Sequence, residues 1–129
     1  MKLKHVVAVL AVALTASAAV AGTNYVTNGD FSQGLTGWST NSNAYFIGSN
    51  TYYEGAIGFD AHLRQTVLGA TGAATLQLDV GLTSGWYEYV LWNGVNVSGT
   101  LTDSNHYSFN VTATGTDSLD IVGLSLIHI

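Results

Sequence analysis

Apolar and polar positions alternate along most of the chain after residue 22. In Ala74–Val80, Leu76, Leu78 and Val80 fall on one side of an extended backbone and Gln77 and Asp79 on the other. That is the period-two pattern of a strand with one buried face. His106–Ala113 repeats it, with Tyr107, Phe109 and Val111 inward and His106, Ser108, Asn110 and Thr112 outward. Asp117–Val122 puts Leu119 and Ile121 on one face. Asn24–Thr27, Ala44–Ile47, Ala56–Phe59 and His62–Leu68 read as further strands, Thr51–Glu54 fits strand or loop, and Gly69–Gly72 reads as a loop. Trp86–Trp92 and Val95–Gly99 flank Asn93-Gly94, the dipeptide best suited to a type I′ hairpin turn. The chain has no proline and no sustained helical period. Short antiparallel strands between frequent turns predict an all-β domain with the architecture of a β-sandwich.

The two ends break this pattern. Met1–Ala21 has a basic start (Lys2, Lys4, His5), an apolar run over Val6–Ala16 and a small-x-small site, Ala19-Val20-Ala21, before Gly22. It reads as a secretory signal peptide, and its apolar run is short for a membrane-spanning helix. At the other end, Leu124–Ile129 is what results from translating a sequence that resembles a transposon-end adapter used in sequencing libraries. The alternative is a natural apolar strand. The expected organisation is a signal peptide over 1–21, a β-sandwich domain over 22–123 and an adapter-derived tail over 124–129.

Removing the leader changes the charge. Lys2 and Lys4 leave with it, the formal net charge falls from −5 to −7, and Arg64 becomes the single Lys or Arg against eight acids. So acidic a domain repels phosphate backbones, which excludes nucleic acid as a partner. With no cysteine, disulfides and thiolate chemistry are excluded as well. An exported domain of about a hundred residues without disulfides relies on its apolar core.

One irregular stretch stands out. Asn28-Gly29-Asp30-Phe31-Ser32-Gln33-Gly34-Leu35-Thr36-Gly37-Trp38 places three apolar side chains, Phe31, Leu35 and Trp38, among glycines and polar residues. Such spacing suits a loop pinned to a core at three points, because glycine and asparagine tolerate positive φ cheaply. Following an export signal, this motif resembles the start of the galactose-binding-like β-sandwich. That fold occurs in carbohydrate-binding modules of secreted glycanases and in short surface proteins of the PEP-CTERM sorting system. The Gln65-Thr66 strand and Tyr107–Gly115 extend the resemblance over about residues 24–123, while Ser32 departs from the acidic residue often found there. The resemblance implies a jelly-roll topology, here lacking its final strand. It also implies a structural calcium held by loop oxygens near the motif, to which Asp30 would contribute. Membrane attachment would come only through an anchor downstream of the sequence in hand.

Candidate chemistry is sparse. Asp60, His62 and Arg64 stand at i, i+2 and i+4, so an extended backbone would set them on one face, either to bond sugar hydroxyls or as a surface ion pair worth little. Trp86, Glu88 and Trp92 share one face of their strand, and Tyr87, Tyr89 and Leu91 the other. Whichever face is exposed offers rings for stacking on a sugar, and the tryptophan face, with Glu88 as hydroxyl acceptor, is the one expected to bind. No Gly-x-Ser-x-Gly elbow occurs, and nothing singles out a pair of carboxylates for glycoside hydrolysis. His62 and His106, far apart in sequence, do not suit zinc. The expected function is a non-catalytic, exported bacterial surface or extracellular-matrix β-sandwich. The alternative is the carbohydrate-binding module of a truncated secreted glycanase, with extracellular polysaccharide as its partner.

Overall fold

In the computed structural model, residues 7–16, 23–41, 51–53, 60–82 and 85–125 are described. These residues contain strands and no helix. The strands are β1 (Val7–Ala16), β2 (Ser39–Thr40), β3 (Thr51–Tyr53), β4 (Ala61–Gly81), β5 (Trp86–Trp92), β6 (Val95–Asn96) and β7 (Asn105–Ser125). They form one antiparallel sheet in the order β3-β1-β4-β7-β5-β6, with β2 also paired to β4. The strands expected at Ala44–Ile47 and Ala56–Phe59 lie outside the described residues. Asn24–Thr27 forms no strand, contributing one bridge residue at Asn24 before the chain turns.

Two expected interruptions are absent. Gly69–Gly72 is not a loop: β4 runs through it for 21 residues, and β7 likewise joins His106–Ala113 to Asp117–Val122. The reason is a β-bulge. Leu68 pairs with Thr116 and Thr71 with Thr114, so Gly69 and Ala70 together oppose Gly115. An extra residue in one strand flips every later side chain to the other face unless the hydrophobic pattern shifts with it. Here it does. Before the bulge the buried apolar positions of β4 are Ala61, Leu63 and Val67; after it they are Ala74, Leu76, Leu78 and Val80. Odd numbers give way to even ones, and the core face stays on one side. Gly69 (φ 90°) and Gly115 (φ 100°) sit in the left-handed region, where a side chain would be strained.

The bulge bends the sheet onto itself. On a straight strand the steps from Thr112 to Leu119 would span roughly 23 Å. Trp92 stands opposite Leu119, yet its indole Nε1 donates to the Thr112 carbonyl at 3.0 Å. The inner faces of both halves therefore meet in one core, which joins Leu63, Val67, Leu119, Ile121, Val90 and Trp92 to Leu76, Leu78, Val80, Val111 and Ala113.

The Asn28–Trp38 loop closes one end of that core. Phe31 is fully buried, Trp38 nearly so, and Leu35 packs partly buried beside them; the Phe31 and Trp38 rings lie 5.2 Å apart at 31°. Asn28, itself at φ 51°, organises the turn: its Nδ2 donates to the Gly34 and Thr36 carbonyls and its Oδ1 accepts from the Gln33 amide. The Trp38 indole donates to the Asn28 carbonyl. Gln65, buried on the core face of β4, fastens the loop to the sheet. Its Oε1 accepts from Thr27 N at 2.7 Å and its Nε2 donates to the Thr27 carbonyl at 2.8 Å, so a side-chain amide serves Thr27 as a neighbouring strand would.

At the N-terminus, β1 pairs with β4 from Ala8↔Gly81 to Ala16↔Ala74. This strand lies within Met1–Ala21, the segment expected to be a signal peptide. A chain cleaved after Ala21 lacks β1, which leaves the Ala74–Gly81 edge of β4 without that partner. At the C-terminus, Leu124 and Ser125 pair with Tyr87 and Trp86.

The hairpin turn forms as expected, with Asn93 (φ 49°) and Gly94 (φ 81°) both at positive φ. It is fastened to the bend through Asp117, a nearly buried carboxylate that accepts from Asn93 Nδ2, Thr114 N and Thr114 Oγ1. Burial pushes the Asp117 carboxyl up, but the bonds from Asn93 and Thr114 outweigh it and hold the group below the usual aspartate value. Between the two values the unfolded chain binds a proton that the folded chain does not. Asp117 therefore stabilises the fold above the ordinary aspartate range, and this contribution is lost as pH falls through its depressed folded value. Asp117→Asn is expected to cost about 1–3 kcal/mol at neutral pH. In denaturant titrations at stepwise lower pH, its gap from the parent should close on acidification; a gap independent of pH would contradict the assignment.

Candidate functional site

Two faces of the β4–β7–β5 half have different characters. The inner face carries Trp86, Glu88, Val90 and Trp92 from β5, all buried, with exposures of 4%, 0%, 0% and 5%. This corrects the expectation that Trp86, Glu88 and Trp92 form an exposed binding row. The register explains it: Val90 pairs with Ile121 and Trp92 with Leu119, so the tryptophans share their face with the core residues of β7. Glu88 is drawn in with them, its backbone bonded in both directions to Leu101. The rings at half-exposed positions are instead Tyr87 and Tyr89, with Leu91 beside them.

The outer face brings together two of the three residues expected to act jointly. His62 and Arg64 project from β4 on this face, and the register sets Arg64 opposite Asp120 and Asp120 opposite Leu91. Arg64 Nε donates to Asp120 Oδ2 at 3.1 Å, and His62 Nδ1 lies 3.0 Å from the same oxygen. Asp120 is largely enclosed while the Arg64 side chain stays half exposed, at 16% and 51%. Asp60 precedes β4; its carbonyl accepts from Asn41 Nδ2, while Asn41 Oδ1 accepts from the His62 amide. Tyr89 lies close enough to feel these charges. Burial first, then the carboxylates of Asp60 and Asp120 and the neighbouring Tyr87, raise its phenol above the ordinary value.

A cavity of about 300 Å³ opens beside the ion pair. Arg64, Asp120, Ser39, Thr66, Ser118 and Leu91 are among the residues that line it. These residues offer three hydroxyls, a carboxylate, a guanidinium and an apolar side chain. Asp120 was not singled out by the sequence. The available signal was its place between Leu119 and Ile121, which puts an acid on the outward side of an otherwise apolar strand.

Asp30 is not among the residues that line the cavity. It is exposed in the loop, where the Ser32 amide and then its hydroxyl hold the carboxyl below its usual value. Among the described residues no group of three or more His, Asp or Glu side chains comes together as a metal site. His106 is paired with Asp79 on the opposite half of the sheet.

Comparison with known proteins found no matching protein family, no matching curated protein and no matching solved structure.

Burial of Trp38, Trp86 and Trp92 makes a direct prediction. The folded chain should emit tryptophan fluorescence at short wavelength and resist quenching by acrylamide. Trp86→Ala or Trp92→Ala should lower stability by about 3–5 kcal/mol. Ready quenching of the folded parent would show that the rings face solvent after all.

Proposed function

We propose that the chain is an exported, non-catalytic bacterial surface or extracellular-matrix domain of galactose-binding-like, jelly-roll type. The observation that carries this reading is the Asn28–Trp38 loop. Its three apolar side chains are seated on the core, and its backbone is organised by the Asn28 side chain and the Gln65 amide. These are the residues on which the resemblance to that family rests. The bend in β4 and β7, which sets the two halves of the sheet face to face over one core, also supports a sandwich arrangement. In this reading the domain serves as a stable, acidic display scaffold, attached to the cell through sequence beyond it if attached at all.

A second reading, a carbohydrate-binding module of a secreted glycanase, is favoured by the polar cavity beside Arg64 and Asp120 and by the half-exposed Tyr87 and Tyr89 on the same outer face. Polar groups of both kinds next to an apolar surface are what a sugar needs from a shallow site.

Both readings require export. Expressed in a Gram-negative host, the chain should appear outside the cytoplasm with a mass reduced by removal of Met1–Ala21. Retention in the cytoplasm with the amino terminus intact would overturn them.

A further inference from the structure

We propose that the cavity beside Arg64 and Asp120 binds a neutral sugar unit of a polysaccharide through adjacent hydroxyls, and discriminates against uronic acids. This deepens the carbohydrate-binding reading and rests on it. Three observations lead there. The first is complementarity. A sugar hydroxyl both donates and accepts, and here an acceptor-only carboxylate is fixed 3.1 Å from a donor-only guanidinium. Two adjacent hydroxyls can therefore bridge the pair, one giving its proton to Asp120 and the other accepting from Arg64.

The second is preorganisation. Asp120 is held from two sides, by Arg64 Nε and by His62 Nδ1, and is mostly enclosed. Its carboxylate is already oriented before a ligand arrives, which reduces the ordering cost that weakens shallow sites. The Arg64 side chain is half exposed, and a guanidinium carries four further donor protons in a planar fork once its Nε–H is committed. Thr66 and Ser118, paired with each other two residues along the same two strands, add hydroxyls beside the ion pair, and Leu91 gives an apolar patch against which sugar C–H groups can lie.

The third is charge. Arg64 is the single Lys or Arg outside the leader, and Asp120 already neutralises it. A uronate would meet a site with no spare positive charge on a domain whose net charge without the leader is −7. A neutral hexose meets no such repulsion.

The test is affinity electrophoresis of the full chain and three variants in gels containing galactomannan, xyloglucan or mixed-linkage β-glucan, with polygalacturonate as the acidic comparison. Arg64→Gln and Asp120→Asn each remove one half of the pair. Ser118→Trp fills the cavity from an exposed position and leaves the ion pair in place, so it stands in should the other two fold poorly by circular dichroism. The expected result is retardation of the parent by at least one neutral polymer and not by polygalacturonate, with apparent affinity reduced about tenfold or more in each folded variant, by loss of a charge-assisted hydrogen bond in Arg64→Gln and Asp120→Asn and by obstruction of the cavity in Ser118→Trp. Equal or stronger retardation by polygalacturonate would overturn the ligand class and leave the binding reading intact. Neutral retardation unchanged in all three variants would overturn the site while leaving a sugar-binding domain. No retardation of the folded parent in any gel would overturn both.

Discussion

The bulge at Gly69–Ala70, opposite Gly115, is the constraint on which the rest of the structure depends. Without it β4 and β7 would be straight strands of 21 residues each, with their apolar side chains divided between two faces. With it, the odd-numbered core positions of the first half and the even-numbered ones of the second point the same way, and the bend brings them into one core. The hydrogen bonds that gather at the bend, Trp92 to Thr112 and Asp117 to both Asn93 and Thr114, secure a geometry that the bulge has already set.

Once the sheet is folded over, its inner and outer faces have different tasks. The inner face takes every tryptophan of β5 and even Glu88, because apolar area next to Ile121 and Leu119 must be buried. The outer face is left with the groups that gain little from burial: Arg64, Asp120, His62 and the edges of Tyr87 and Tyr89. An ion pair this exposed adds at most about 1 kcal/mol to stability. Its fixed geometry beside an open cavity is what the proposed recognition of a sugar rests on. The amino-terminal edge is different again. β1 covers Ala74–Gly81 of β4, where the outward side chains Thr75, Gln77 and Asp79 include neither lysine nor proline to discourage pairing with another chain. An exported chain that has lost β1 therefore carries an edge open to strand addition.

The alternation at Ala74–Val80 and His106–Ala113 made the strands and their buried faces legible, and Asn93-Gly94 made the hairpin legible, because both signals are local. The joining of His62–Leu68 to Ala74–Val80 was not. Glycines at both ends of Gly69–Gly72 look like a loop unless the change from odd to even apolar positions is noticed. The face of β5 was also undecidable locally, since Trp86, Val90 and Trp92 on one side match Tyr87, Tyr89 and Leu91 on the other in apolar character. Its partner strand decided the matter. The outer site was half visible: His62 and Arg64 share a face by spacing alone, whereas Asp120 reaches them only across the sheet, 56 residues further along the chain.

The account stands or falls on whether the sheet folds back upon itself, and the Trp92 indole reports this most directly. In a nuclear Overhauser spectrum of the folded chain, its Nε1 proton should show cross-peaks to Thr112 and Ala113, on the far side of the bend from the Leu119 that Trp92 pairs with. Cross-peaks confined to neighbours in the hairpin and to residues around Leu119 would mean that the two halves lie flat, and would contradict the shared core.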